Sequence, residues 1–164
     1  MKLSMALRAE VDLEFQRVKK IREISLNHDI LNFIELAHTS FHQGKASNPR
    51  GPFERSLLHY AAMGNCTELL RLLLQTGVPV DDCDQNKRTP LSWAAEYGAL
   101  DAVMLLVENG AKVNSIDDTL TSPLAWSLSA GMGQMVETRS FLRQKGARQR
   151  WILRRIIRVL VSRK

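Results

Sequence analysis

The stretch RTPLSWAAEYGALDAVMLLVENGAKVN (88–114) decides the fold, because its pattern returns elsewhere in the chain at a fixed spacing. Sliding the sequence by 33 residues places Gly77 on Gly110 and brings many apolar positions into register. The stretches that match are RSLLHYAAMGNCTELLRLLLQTGVPVD (55–81) and TSPLAWSLSAGMGQMVETRSFLRQKGA (121–147). A fixed period of this length is typical of repeat proteins, in which each unit buries its apolar face against its neighbours.

Each period predicts two helices. Thr89 can cap the free N–H groups of a first helix, and Pro90 fits its first turn, where the missing donor is not needed. Gly98 supplies the positive φ that ends this helix, and Asn65 holds the same place in the preceding unit. Paired alanines give the first helix small side chains on its inner side, so that neighbouring helices can approach it. A second helix, rich in leucine and valine, extends to Gly110.

These stretches resemble the ankyrin repeat over about 95 residues, since caps, small residues and leucines agree together. Two clear repeats occupy 52–84 and 85–117, and a degenerate third occupies 118–147. The resemblance implies an all-α fold, a short ankyrin-repeat solenoid of stacked helix-turn-helix units with helical N- and C-terminal caps.

The third repeat departs from the family pattern. Ser127-Leu128 replace the paired alanines, and the spacing from Gly131 to Gly146 is 15 residues against 12 in the other units. This spacing predicts a lengthened or bulged second helix. Elsewhere, Lys87 and Leu120 stand where the family loop has a turn glycine. Such changes suggest the terminal, capping repeat that a solenoid requires.

The sequence divides into a helical N-terminal cap (1–47), the repeats (48–147) and a cationic amphipathic C-terminal helix (148–164). Apolar residues recur at helical spacing over 3–24 and again over 29–42. The glycines and prolines of 43–52 predict a loop between the cap and the repeats.

Composition and charge narrow the class of protein. Of 164 residues, 45% are hydrophobic and 24% charged, which is ordinary for a globular domain. No apolar run approaches the ~20 residues of a membrane span, so we expect a soluble intracellular protein. The net charge of +6 arises in 143–164, which hold nine Lys/Arg and no acid. Because this basicity is local, no nucleic-acid partner is expected.

The C-terminal helix has two interpretations. Ile152, Ile156 and Leu160 share one face, with Arg154 and Arg158 opposite. This apolar face is expected to cover the open end of the third repeat. The alternative is a segment that makes weak contact with anionic membranes or a calmodulin-type partner.

Catalytic signatures are missing from the sequence: it contains no P-loop, dinucleotide fingerprint, nucleophile elbow or kinase motif. Glu35, His38 and His42 have helical spacing, but a metal site needs further ligands, so no metal and no cofactor are predicted. Cys66 and Cys83 lack a CxxC arrangement and are interpreted as isolated thiols.

The family resemblance also assigns roles. His59 stands where the family has a histidine bonded to loop backbone, so a structural role is expected. Carried over position by position, the partner-binding residues lie on hairpin loops and inner helices: Met63, Cys83, Gln85, Asn86, Arg88, Glu96, Tyr97, Ile116, Asp118, Thr119, Thr121 and Ser129. The acidic loops, with Asp81, Asp82, Asp84 and Asp117, favour a basic partner mildly.

We therefore predict a monomeric, non-catalytic scaffold that binds another protein in the cytoplasm, with the nucleus as the second location. Two alternatives remain at this point. The first is a peripheral membrane adaptor that uses 148–164, and the second is a metal-binding or enzymatic site in the N-terminal helices.

Overall fold

Paired helices follow one another along most of the chain. The computed structural model describes residues 4–43, 48–129 and 135–149. Of residue 129 it describes only the backbone. The helices are α1 (Met5–Lys19), α2 (Arg22–Ser25), α3 (His28–His42), α4 (Leu57–Met63), α5 (Thr67–Gln75), α6 (Pro90–Tyr97), α7 (Leu100–Glu108), α8 (Pro123–Ser129) and α9 (Val136–Gln144). Apart from one isolated bridge, Arg50 to Ser56, these described residues form helices and loops, which confirms the all-α class.

The local signals act as the sequence predicts. The Thr89 hydroxyl accepts a hydrogen bond from the Ser92 N–H at 3.3 Å, and Pro90 is the first residue of α6. Gly98 ends that helix at φ 67°, and Asn65 adopts φ 53° at the equivalent place. In the first two repeats, the left-handed turn is thus made by the residue types that tolerate it best.

Helices α4, α6 and α8 pack side by side as an inner row, and α5, α7 and α9 cover them from outside. The paired alanines of α4 and α6 are fully buried between neighbouring inner helices. Leu73 of α5 and Leu106 of α7 are equally buried on the covered side of the outer row. The core is therefore continuous from one repeat to the next, as a stacked array requires.

The N-terminal helices close one end of this array. Val11, Phe15 and Val18 of α1 are completely buried, and α1 packs on α3, α4 and α5. The helical spacing of apolar residues continues over 3–24, but α1 ends at Lys19. Extended backbone at Ile21 (φ −62°, ψ 126°) redirects the chain into α2, where Ile24 becomes buried.

Glu14 of α1 caps a helix of the first repeat. Its carboxylate accepts the N–H groups of Glu68 at 3.1 Å and Leu69 at 2.6 Å, at the start of α5. Residue Cys66, which precedes α5, supplies no side-chain cap of its own. The cap therefore contributes hydrogen bonds to the array as well as apolar cover.

The third repeat is present, with one correction. Helix α8 packs on α6, and α9 packs on α7. Helix α9 has 9 residues, the same as α5 and α7, so the predicted lengthening of this helix is wrong. Residues 130–134, which precede this helix, lie outside the described residues.

Candidate protein-binding surface

Three loops of the same design project before the inner helices. They run from Gly51 to Arg55, from Asp84 to Arg88 and from Asp117 to Thr121, and each is closed by a backbone N–H···O bond between its ends, at 2.8, 3.0 and 3.3 Å. Neighbouring loops are also joined, since Gln85 N–H donates to the Phe53 carbonyl at 3.1 Å and Asp118 N–H to the Asn86 carbonyl at 3.0 Å. The loops therefore form one connected row.

A buried aspartate shapes each of the last two loops. The Asp84 carboxylate accepts the N–H groups of Asn86 and Arg88, both at 2.9 Å, and the indole N–H of Trp93 at 3.0 Å. Asp117 repeats this with Trp126, whose indole N–H lies 2.7 Å away. Each aspartate thus ties a loop to the inner helix that follows it.

Arginine and tryptophan side chains alternate beneath the loops. The Arg55 guanidinium lies 4.0 Å from the centre of the Trp93 ring, Arg88 lies 3.5 Å from the same ring, and Arg88 also lies 3.9 Å from the Trp126 ring. Cation–π contacts of this kind gain strength where water is excluded. The stack links all three repeats through side chains.

Carboxylates balance the charges of this stack. Arg88 pairs with Glu96, and Arg55 pairs with Glu23 of α2 at 2.6 Å. Burial raises the pKa of Glu23, but the hydrogen bonds from Arg55 and Tyr97 outweigh it and leave the pKa below its ordinary value. The Tyr97 hydroxyl donates to Glu23 at 2.7 Å, so α6 is tied to the N-terminal cap.

An exposed ridge lies above the buried aspartates and the arginine–tryptophan stack, which together we call the foundation of the surface. We use the term hairpin ridge for Phe53, Gln85, Asn86, Asp118 and Thr119, which occupy the tips of the loops. Phe53, Asn86 and Thr119 are successive equivalents at the 33-residue period, and the Phe53 side chain is 43% exposed. Cys83 and Ile116 are exposed just before the second and third loops.

The structure corrects part of the predicted contact set. Met63 is only 4% exposed, Arg88 6% and Thr121 9%. Arg88 stacks on two tryptophan rings, and the Thr121 N–H donates to Asp117 within its own loop. These three residues belong to the foundation of the surface. Glu96 and Tyr97 are half-buried, and the side chain of Ser129 lies outside the described residues.

Phe53 was missed by the sequence prediction. The loop of the first repeat has Gly51 where the others have an aspartate, so its tip was not recognised. Phe53 lies 33 residues before Asn86, so the repeat period identifies it as the equivalent position in the first loop.

The acidic loops do not favour a basic partner as strongly as their sequence indicates. Asp84 and Asp117 are buried in the hydrogen bonds described above, and Asp82 is paired with Arg50. Asp118 pairs with Lys87 at 2.8 Å. Because hydrogen bonds and ion pairs within the molecule balance most of this negative charge, the loops do not by themselves favour a basic partner.

Two buried titratable side chains make structural contacts: His59 lies beneath the loops, and Cys66 lies beside α1. His59 is fully buried, where its Nδ1 accepts the Ser56 N–H at 3.1 Å and its Nε2–H donates to the Arg88 carbonyl at 3.2 Å. Burial lowers the pKa of His59, which keeps the ring neutral. Burial also raises the pKa of Cys66 to about 12, so this thiol stays protonated.

The C-terminal segment 150–164 lies outside the described residues, and with it the predicted cap or membrane helix. Within the described ranges, no helix combines the length and apolar character that a membrane span requires.

Comparisons with known proteins agree with this architecture. The profile of the family described as ankyrin repeats (3 copies) matches residues 24–117, and so begins upstream of our first predicted repeat and stops before the third. No curated protein sequence matches the chain. The crystal structure of the human ASB11 ankyrin repeat domain is similar at 30% identity and a TM-score of 0.53, over 57% of this chain and 41% of that one. The chain therefore corresponds to less than half of that domain.

Proposed function

Since this chain belongs to the ankyrin-repeat family, whose repeats generally mediate protein–protein interaction, we propose that it is a non-catalytic scaffold that binds a partner protein through the hairpin ridge. The observation that supports this most strongly is the contrast between an exposed ridge and the connected, buried foundation beneath it.

A rigid foundation favours binding because little conformational entropy is then lost on association. The loop tips are held from below by buried aspartates, by bonds between neighbouring loops and by the arginine–tryptophan stack. A partner would therefore meet a surface whose shape is already set.

The chemistry of the ridge suits a protein surface of mixed character. It offers the Phe53 ring as an apolar contact, the Gln85 and Asn86 amides and the Thr119 hydroxyl. The ridge residue Asp118 pairs with the neighbouring Lys87, so the two charges balance. Aromatic anchors surrounded by polar groups are typical of protein interfaces.

Affinity capture from cells of the native organism tests this function. Quantitative mass spectrometry would compare three tagged proteins: the full chain, a Phe53→Ser/Asn86→Ala variant and a Val136→Ser control. Val136 is 62% exposed on α9, away from the loops, so its substitution removes an exposed apolar side chain without touching the ridge.

We expect the wild type and the control to recover the same partner protein, and the ridge variant to lose it by roughly tenfold or more, as at an interface hot spot. Equal recovery by the ridge variant would remove the hairpin ridge from the proposal. Circular dichroism of all three proteins checks that they are folded.

We also propose a cytoplasmic location, with the nucleus as the second option. Cys66 is buried beside α1 and Cys83 is exposed at a loop, so the two are separate free thiols, as is usual in reducing compartments.

A further inference from the structure

A cluster of metal-ligating side chains lies in the N-terminal cap, away from the hairpin ridge. Asp12 of α1 meets His38 and His42, which are one turn apart on α3. The Asp12 Oδ1 atom lies 2.7 Å from His38 Nε2 and 2.6 Å from His42 Nε2, and the two nitrogens are 3.0 Å apart. Three potential ligand atoms therefore converge on one point.

While Asp12 is an ionised carboxylate, protons on the two imidazoles do not make all three contacts favourable. Each Nε2 carries either a hydrogen or a lone pair. If both carry hydrogens, both can donate to Asp12, but the two donors then face each other across 3.0 Å. If one carries a lone pair, that nitrogen faces the carboxylate oxygen at 2.7 Å or less with no hydrogen between them. A cation that accepts all three lone pairs removes this conflict.

The distances also suit a small transition-metal ion. Ligands at about 2.0–2.1 Å from a tetrahedral zinc ion lie about 3.3 Å from one another, so the sides of the observed triangle, which are 2.6, 2.7 and 3.0 Å, need to widen by about 0.3–0.7 Å. Partial exposure of the three side chains, 23%, 32% and 44% for His38, His42 and Asp12, gives an ion access from solvent.

The ligands are held by packing rather than by the ion alone. The His38 ring lies 4.4 Å, centroid to centroid, from the buried Phe15 ring of α1. Lys19 and Glu35 form a second bridge between α1 and α3 at 3.3 Å. Glu35, which the sequence placed beside the two histidines, is therefore engaged elsewhere, and Asp12 takes its place.

From this geometry we propose that Asp12, His38 and His42 form a Zn²⁺ site that joins α1 to α3, with the fourth position open to water. Imidazole and carboxylate ligands suit zinc and its transition-metal neighbours, whereas Mg²⁺ and Ca²⁺ prefer oxygen ligands alone. The site is independent of the proposed partner binding.

Zinc titration of the full chain against a chromophoric chelator tests the proposal. The variants are Asp12→Asn, His38→Gln and His42→Gln. Matched controls are His28→Gln on the same helix and Cys83→Ser for the exposed thiol. Absorption of the Co²⁺-loaded wild type reports whether the coordination is tetrahedral.

We expect one Zn²⁺ per chain, unaffected by excess Mg²⁺, and an affinity that falls by about tenfold or more in each ligand variant while the controls match the wild type. Zinc should also slow hydrogen exchange in α1 and α3 of the wild type. His42 lies at the end of α3, so its substitution should not unfold the chain. A wild-type affinity for Zn²⁺ no tighter than that of His42→Gln would overturn the proposal. Loss of binding in Cys83→Ser would overturn it equally.

Discussion

At the scale of single residues, all three loops hold a side chain in a conformation that favours glycine, and in the first loop this residue is Glu54, with φ 54°. Lys87 has φ 58° and Leu120 has φ 56°, whereas Gly77 and Gly110 take the positive φ values at the ends of the outer helices. A left-handed conformation costs a residue with a Cβ atom about 1–2 kcal/mol. The ankyrin loops here therefore carry backbone strain.

Lys87→Gly should relieve this strain. Comparison with Lys87→Ala isolates the backbone effect, because both variants lose the exposed ion pair with Asp118 but only alanine keeps a Cβ atom. We expect the free energy of unfolding of the glycine variant to exceed that of the alanine variant by about 0.5–1 kcal/mol. This difference allows for the larger conformational entropy of glycine in the unfolded chain. Urea denaturation measures the difference. An alanine variant at least as stable would show that the loop is unstrained.

Glu14 gives stability a pH dependence of defined sign. Burial raises its pKa above the ordinary value, and the bond from the Leu69 N–H offsets this only in part. The folded state thus binds the proton more tightly than the unfolded state. This contribution is fully present below the unfolded pKa and is lost as the pH rises through the folded pKa.

Wild-type stability relative to Glu14→Gln should therefore increase as the pH falls from neutral to about 4.5. Glutamine keeps an oxygen that can accept the same N–H group but does not titrate. Urea denaturation of both proteins across this range provides the measurement. A difference that stays constant, or that shifts toward the variant at acid pH, would contradict the burial of Glu14.

At the scale of helices, the covered faces of the outer row supply stability. Leu73 of α5 and Leu106 of α7 occupy equivalent places and are 1% and 0% exposed. Truncation of either to alanine should cost about 2–5 kcal/mol, the range for a buried leucine. Leu26→Ala is the control, because that side chain is 74% exposed. Thermal melts that leave both core variants at the wild-type temperature would show that the core lies elsewhere.

Helix positions could be predicted where the cause is local. Thr89 and Pro90 start α6, Gly98 ends it, and the 33-residue period copies that pattern along the chain. The end of α1 was not predictable in this way, because the apolar spacing continues past Lys19, whereas the turn at Ile21 separates two helices that both pack on α3.

At the scale of the whole molecule, the missing information is which distant residues meet. Asp12 reaches His38 across 26 positions, and Glu14 reaches Leu69 across 55. Neither spacing carries a sequence pattern, because the first depends on how α1 packs on α3 and the second on how α1 packs on the first repeat. The burial of Arg88 likewise follows from its stacking between the tryptophans of two repeats.

The central claim is that partner proteins bind the hairpin ridge. Photo-crosslinking in native cells tests it most directly, with a benzophenone amino acid placed at Asn86 on the ridge or at Arg71, which is 53% exposed on the outer helix α5. We predict a discrete crosslinked protein with the probe at Asn86 and none with the probe at Arg71. A crosslink that forms from Arg71 and is missing from Asn86 would contradict this account.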